Sequence, residues 1–89
     1  MLNVICEKKF IKDVELAKKR GKNLAKLKEI MNMLENEEPL PRKNLNHKLK
    51  GDYKDCLECH IEPDWLLIYK KYKDSIAFMR TGTHSDLFK

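Results

Sequence analysis

Glycine is scarce in this chain, with three among 89 residues, and proline is equally rare. The glycines are scattered, so no glycine-rich loop is available to wrap a nucleotide phosphate. Neither a G-x-S-x-G elbow nor a His-Glu-x-x-His pair occurs, which leaves nucleotide hydrolysis, serine hydrolysis and zinc proteolysis without a motif. No apolar run approaches the ~18 residues of a membrane span. The start, Met1-Leu2-Asn3-Val4-Ile5-Cys6, passes straight into charges and lacks the form of a cleaved signal, so a cytoplasmic protein is expected. Repeats, low-complexity tracts and linkers are missing too. The length suits one core, and a single domain over residues 1–89 is expected.

Acids are in deficit: 14 Asp and Glu against 19 Lys and Arg give a net charge of +5 and a pI near 9.1. Such a balance favours an anionic partner, nucleic acid or an acidic protein. Nine of the cations fall between Lys8 and Lys28, where Asp13 and Glu15 are the only aspartate or glutamate. They read either as the solvated outer face of a helical pair or as a footprint for a polyanion, giving affinity without sequence choice.

Cysteine is limited to three residues, two of them in Cys56-Leu57-Glu58-Cys59-His60. The spacing matches covalent haem attachment, but that requires an exported protein and an axial ligand, and neither is evident. A zinc site on Cys56, Cys59 and a histidine lacks a fourth ligand at a recognisable spacing. Reduced thiols, with Cys59 as a small buried hydrophobe, are the default.

What is present is organised around His60-Ile61-Glu62-Pro63-Asp64-Trp65 and the apolar run Leu66-Leu67-Ile68-Tyr69. Pro63 cannot donate to a sheet ladder and Asp64 favours a turn, so a hairpin is expected there. Upstream, Leu2 to Cys6 reads as a strand. Phe10, Val14 and Ala17 stripe a helix from Glu7 to Lys19, with Gly21 as its C-terminal cap. Leu24, Leu27, Met31 and Leu34, widened by Ile30 and Met33, stripe a second helix from Asn23 to Asn36, stopped by Pro39 and Pro41. Pro39 to Tyr53 reads as loop, with His47 beside Lys48 and Lys50. Strands follow at Asp55 to Glu62, Trp65 to Lys71 and Ser75 to Thr81, with a turn at Lys73-Asp74. The expected fold is α+β: an N-terminal strand, a two-helix hairpin on one sheet face, and an antiparallel three-strand meander whose other face is partly open.

In the first meander strand Leu57, Cys59 and Ile61 point one way and Cys56, Glu58 and His60 the other. In the last, Arg80 shares parity with Ile76 and Phe78. The chemistry these residues suggest is acid–base work on RNA. Histidines titrate near neutrality, and RNA carries its own 2′-hydroxyl nucleophile, so a protein need only move two protons and neutralise a crowded phosphate. Arginine suits the phosphate, and an aromatic can stack on an unpaired base. Metal-dependent hydrolysis would want more clustered carboxylates than Asp64 beside Glu58, Glu62 and Asp86 supply. No cofactor or metal is expected.

Three runs then carry a resemblance: His47-Lys48-Leu49-Lys50-Gly51-Asp52-Tyr53, Glu58-Cys59-His60-Ile61-Glu62-Pro63-Asp64-Trp65-Leu66-Leu67-Ile68-Tyr69, and Arg80-Thr81-Gly82-Thr83-His84-Ser85-Asp86-Leu87-Phe88. The chain resembles the YafQ branch of the RelE/ParE toxin superfamily. The resemblance implies a toxin of a type II toxin–antitoxin pair that cleaves messenger RNA, on the ribosome, without a metal. It implies an acid–base cluster of His47, His60, Asp64 and His84, with His84 the principal proton-transfer residue. It further implies that Trp65 supports the site or contacts RNA, that Arg80 faces the phosphate, that Phe88 helps place the substrate, and that an acidic antitoxin is the partner. Where this chain has Leu57 relatives often carry Arg, so either that side is repacked or a positive contact is gone. Tyr53 stands where relatives often have Trp. A ParE-like toxin that binds a protein such as DNA gyrase, and a basic RNA-binding module with structural histidines, are the alternatives.

Overall fold

The computed structural model describes residues 1–49 and 51–88; Lys50, part of the first resembling run, lies outside them. Strand β1 (Asn3–Cys6) leads into α1 (Lys8–Lys19) and α2 (Leu24–Glu35). Phe10 and Ala17 are the buried stripe of α1, and Leu27, Ile30 and Leu34 that of α2. Gly21 adopts φ +77°, the left-handed conformation that ends α1, and Asn23 opens α2 by accepting the Ala25 N–H at 3.0 Å.

The sheet then forms from β2 (His47–Lys48), β3 (Leu57–Glu62), β4 (Trp65–Lys71) and β5 (Ser75–Gly82), and a one-turn α3 (His84–Leu87) closes the chain. Its order is β1-β5-β4-β3-β2, antiparallel except that β1 runs parallel to β5. The central strand β4 is buried on both faces from Trp65 to Tyr69, which is why that run lacks polar alternation. On the helix face Cys59, Trp65, Leu67, Tyr69, Ile76 and Phe78 pack against Phe10, Leu27, Ile30 and Leu34. On the other face a smaller cluster joins Cys56, Leu66, Ile68 and Leu87.

The expected α+β arrangement is what forms, with three departures. The segment read as loop from Pro39 to Tyr53 contains β2, whose His47 and Lys48 pair with Glu58 and Leu57; two residues are too few to register as a strand pattern. The tail holds α3, built on Thr83, whose hydroxyl accepts the Asp86 N–H while Asp86 accepts the Thr83 N–H. Third, strict alternation fails in β5. Tyr69 pairs with Phe78 but Ile68 pairs with Arg80, so Met79 is an extra, bulged residue. Phe78 faces the helices, and the bulge carries Arg80 to the opposite face, away from the side that parity with Ile76 and Phe78 would give it.

The thiols of Cys6, Cys56 and Cys59 are free, as expected. Cys59 belongs to the helix-side core and Cys56 to the cluster on the other face, the alternation read from the sequence. Burial raises the Cys59 thiol to about 12, so it is inert near neutrality. Among the described residues, no helix is long and apolar enough to cross a membrane.

Candidate active site

Sheet register brings distant residues into line. His47, Glu58, Ile68 and Arg80 are successive cross-strand partners on β2, β3, β4 and β5. The next row on the same face is His60, Leu66 and Gly82. Beyond it the β3–β4 turn supplies Asp64, and α3 rises from the end of β5 to set His84 against it. Apolar Ile68 and Leu66, both fully buried, form the floor, and the polar side chains stand around it.

The three imidazoles meet there. The ring centroids of His47 and His60 are 6.2 Å apart, and those of His60 and His84 5.7 Å apart. Each ring is held through Nδ1. His47 Nδ1 lies 2.7 Å from the Leu45 carbonyl oxygen, His60 Nδ1 3.3 Å from that of Pro63, and His84 Nδ1 2.6 Å from Asp64 Oδ1. An oxygen acceptor at Nδ1 places a ring proton there and leaves Nε2 for proton transfer. Leu45 reaches His47 by adopting φ 44°, a left-handed conformation uncommon for leucine.

Asp64 is held twice, since the His84 backbone N–H also donates to Oδ1 at 2.9 Å. That backbone bond, with the side-chain bond behind it, keeps the Asp64 carboxyl below its ordinary range although the side chain is exposed. Glu58, absent from the residues singled out in the sequence, sits between the other two rings. Its Oε1 is 3.1 Å from His60 Nε2 and 3.5 Å from His47 Nε2, and its side chain is only 7% exposed. Glu58 thus stands at ion-pair distance from both rings, a counter-charge for an imidazolium on either side. Alternation along the strand already put Glu58 on the face of His60; its place between two imidazoles comes from the pairing of β2 with β3.

Arg80 is held from α1. Its Nε and Nη2 donate to Asp13 at 2.6 and 3.1 Å, and the same carboxylate accepts the Thr81 N–H at 3.1 Å. Asp13 fits because β1 stops pairing at Cys6 opposite Phe78, leaving the rest of that β5 edge to be satisfied by a side chain. The fork on Asp13 keeps the guanidinium charged and leaves Nη1 directed to Tyr53 Oη, 3.5 Å away. The Tyr53 ring in turn meets Phe88 edge-to-face at 5.8 Å, which places that aromatic at the rim, 41% exposed.

Of the residues chosen from sequence, His47, His60, Asp64 and His84 converge, and Arg80 and Phe88 lie on the same side. Trp65 does not. It is 1% exposed within the helix-side core, its Nε1–H bonded to Thr81 Oγ1 at 3.0 Å, with Lys22 Nζ 5.7 Å from its ring centroid. Its ring is covered in this structure and lies apart from the imidazole face. Leu57 packs against the helix-side core, so the position where relatives carry Arg is a packing position here.

Asp86, at the far end of the α3 turn, is also held below its usual range, first by Arg20 and then by the Thr83 N–H. The unfolded chain therefore binds these carboxylate protons more tightly than the folded one. The stability they lend is present above the ordinary carboxylate range near ~4 and is lost as pH falls through their lowered folded values. Melting temperature followed from pH 6 to 2 should drop less steeply in Asp86→Asn than in the parent; identical slopes would remove Asp86 from the account.

The site has counterparts of known kind. Residues 2–89 match the family described as bacterial toxin of type II toxin–antitoxin system, YafQ. The mRNA interferase toxin YafQ of Escherichia coli K12 is 48% identical over 80 residues, covering 89% of this chain and 87% of the relative. The fold superposes on the crystal structure of the E. coli DinJ–YafQ toxin–antitoxin complex with a TM-score of 0.92 at 43% identity, covering 99% and 98% of the two chains. A metal-bound toxin from Helicobacter pylori matches with a TM-score of 0.93 at 41% identity, over 99% and 100%. The family resemblance of the three runs is thereby borne out over the whole sheet and both long helices, and this chain belongs to the YafQ family of bacterial toxins of type II toxin–antitoxin systems.

Proposed function

We propose that the chain is an endoribonuclease that cleaves messenger RNA by acid–base catalysis through the RNA 2′-hydroxyl, with the translating ribosome as the place where it meets its substrate. The observation that carries this reading is the convergence of three imidazoles, each held at Nδ1, on the face that also bears Arg80. The name of the E. coli relative, an mRNA interferase, supports the substrate.

The roles follow from hydrogen-bond accounting. His84, oriented by Asp64, has its Nε2 lone pair unengaged and takes the proton from the 2′-hydroxyl. His60 enters protonated and delivers that proton from Nε2 to the departing 5′-oxygen, and the Glu58 carboxylate, 3.1 Å from Nε2, balances the imidazolium. The attack forms a bond from the 2′-oxygen to phosphorus and breaks the bond from phosphorus to the 5′-oxygen. Arg80 Nη1 meets the charge that builds on the remaining phosphate oxygens. His47, on the far side of Glu58, adds a second imidazole beside the same carboxylate, and Phe88 offers the exposed ring for a base. RNA supplies the nucleophile, so no step requires a metal.

Glu58, His60 and His84 nevertheless present ligand atoms that all lie within 4.8 Å of one another, a donor set suited to a transition metal. An ion held there would tie up imidazole nitrogens of His60 and His84, the two rings that move protons. Cleavage of an mRNA by the purified protein should therefore persist in EDTA, slow on addition of copper or zinc, and recover when the chelator is restored. Loss of activity in EDTA alone would sink the metal-independent mechanism.

The partner under this reading is an acidic antitoxin, as the E. coli complex with DinJ suggests. The net charge of +5 invites an acidic segment that orders on binding, and the cytoplasm is where both it and the message are found. Expression of the chain alone should arrest growth, and co-expression with its acidic partner should restore growth and yield a co-purifying pair. Arrest with intact messages and a poisoned topoisomerase would instead favour the gyrase-binding alternative.

A further inference from the structure

His84 reaches the site on a helix too short to hold itself. Four residues form a single turn, and a lone turn fixes several dihedrals for little hydrogen bonding. Its anchors are therefore external. Leu87 is buried beneath it, and Asp64 accepts the His84 N–H. The third anchor comes from 66 residues upstream, where Arg20 closes α1. Arg20 Nη1 and Nη2 fork onto Asp86 Oδ2 and Oδ1 at 2.7 and 3.3 Å. The same carboxylate accepts the Thr83 N–H at 2.9 Å, so Arg20 grips the residue that caps the turn.

The junction has little slack. A Cβ placed on Gly82 would lie 3.0 Å from both Cβ and Oδ2 of Asp86, so the strand end and the turn are already in contact. The crevice between α1 and α3, lined by Ala17, Arg20, Thr81, Thr83 and Asp86 among others, holds about 10 Å³, no more than one water.

We propose that Arg20 is a positioning residue for His84: by holding Asp86 against the end of α1 it sets the α3 turn at the distance from Asp64 that proton transfer requires. The inference rests on the assignment of His84 as a proton-transfer residue. An ion pair this exposed lends little to stability. A catalytic group displaced by about 1 Å, in contrast, can lose as much as ~100-fold in rate. Loss of Arg20 should therefore register chiefly in turnover, with only a modest fall in melting temperature at neutral pH. The competing role, one more phosphate contact in the basic stretch from Lys8 to Lys28, would register in substrate affinity.

The test uses the full chain and the mRNA cleavage assay, with Arg20→Ala, Arg20→Lys and Asp86→Asn made singly and Arg20→Ala/Asp86→Asn together. Expected are roughly 10-fold falls in kcat for Arg20→Ala and Asp86→Asn with KM nearly unchanged, partial recovery in Arg20→Lys, and a double variant no slower than the singles. In ¹H–¹⁵N spectra the His84 ring signals should move in Arg20→Ala while those of His47 stay. A change in KM alone, with a shallower salt dependence, would make Arg20 a phosphate contact and overturn the proposal, as would unchanged kcat. Multiplying effects in the double variant would overturn it too. If His84→Ala itself cleaves normally, the catalytic reading has failed, and an unmoved His84 ring in Arg20→Ala would then overturn the positional claim separately.

Discussion

Replacing His84 with alanine should lower mRNA cleavage by roughly 100- to 10,000-fold, the range that a positioned acid or base contributes, without unfolding the protein. The side chain is 53% exposed and packs into neither core cluster. Its backbone N–H, which the substitution keeps, still donates to Asp64. What disappears is the imidazole whose Nδ1 is held by Asp64 and whose Nε2 has no carboxylate beside it among the described ion pairs. Asp64→Asn should cost less, since the ring remains but loses the carboxylate that orients it. Glu58→Gln should fall between, because it preserves the shape of the His47–Glu58–His60 row and removes the charge facing the imidazolium. The measurement is the initial rate on one message at saturating protein, with RNA binding checked separately by filter retention. A rate for His84→Ala within a few-fold of the parent, at equal binding, would take the proton-transfer role from His84.

The parts of this site that were legible in the sequence were those carried by residue type and by local turns. Pro63-Asp64 marked the hairpin, the apolar run after it marked the central strand, and two amphipathic stripes marked the helices; all lie where expected. What stayed hidden depends on register. His47 looked like a loop histidine because the strand that holds it has two residues, and its pairing opposite Glu58 is a tertiary event. Arg80 would lie among Ile76 and Phe78 on alternation alone. Met79 reverses that, and nothing in Ala77-Phe78-Met79-Arg80 announces a bulge. Asp13 and Arg20 read as ordinary members of a charged helix. Their roles arise from where β1 stops pairing and from where the C-terminal turn lands, both settled by packing of the whole sheet.

Trp65 offers the second large effect, on stability. Trp65→Ala removes the largest buried side chain, and core deletions of this size cost about 3–5 kcal/mol. In a domain this small each kcal/mol is worth about 4–8 °C, so melting should fall by roughly 12–40 °C. Trp65→Phe keeps most of the buried ring and loses the Nε1–H donor to Thr81 Oγ1. That hydroxyl still donates to the Leu66 carbonyl at 2.6 Å, so the loss should be near ~1 kcal/mol, and cleavage well below the melting point should be close to that of the parent. The role as support has a direct optical test, since Trp65 is the only tryptophan in the chain. Titrating RNA into the inactive His84→Ala protein should leave the indole emission nearly unchanged, and acrylamide should quench it poorly. Strong quenching by RNA, to the degree seen when a base stacks on an indole, would mean that the β4 core opens on binding and that Trp65 meets the substrate after all.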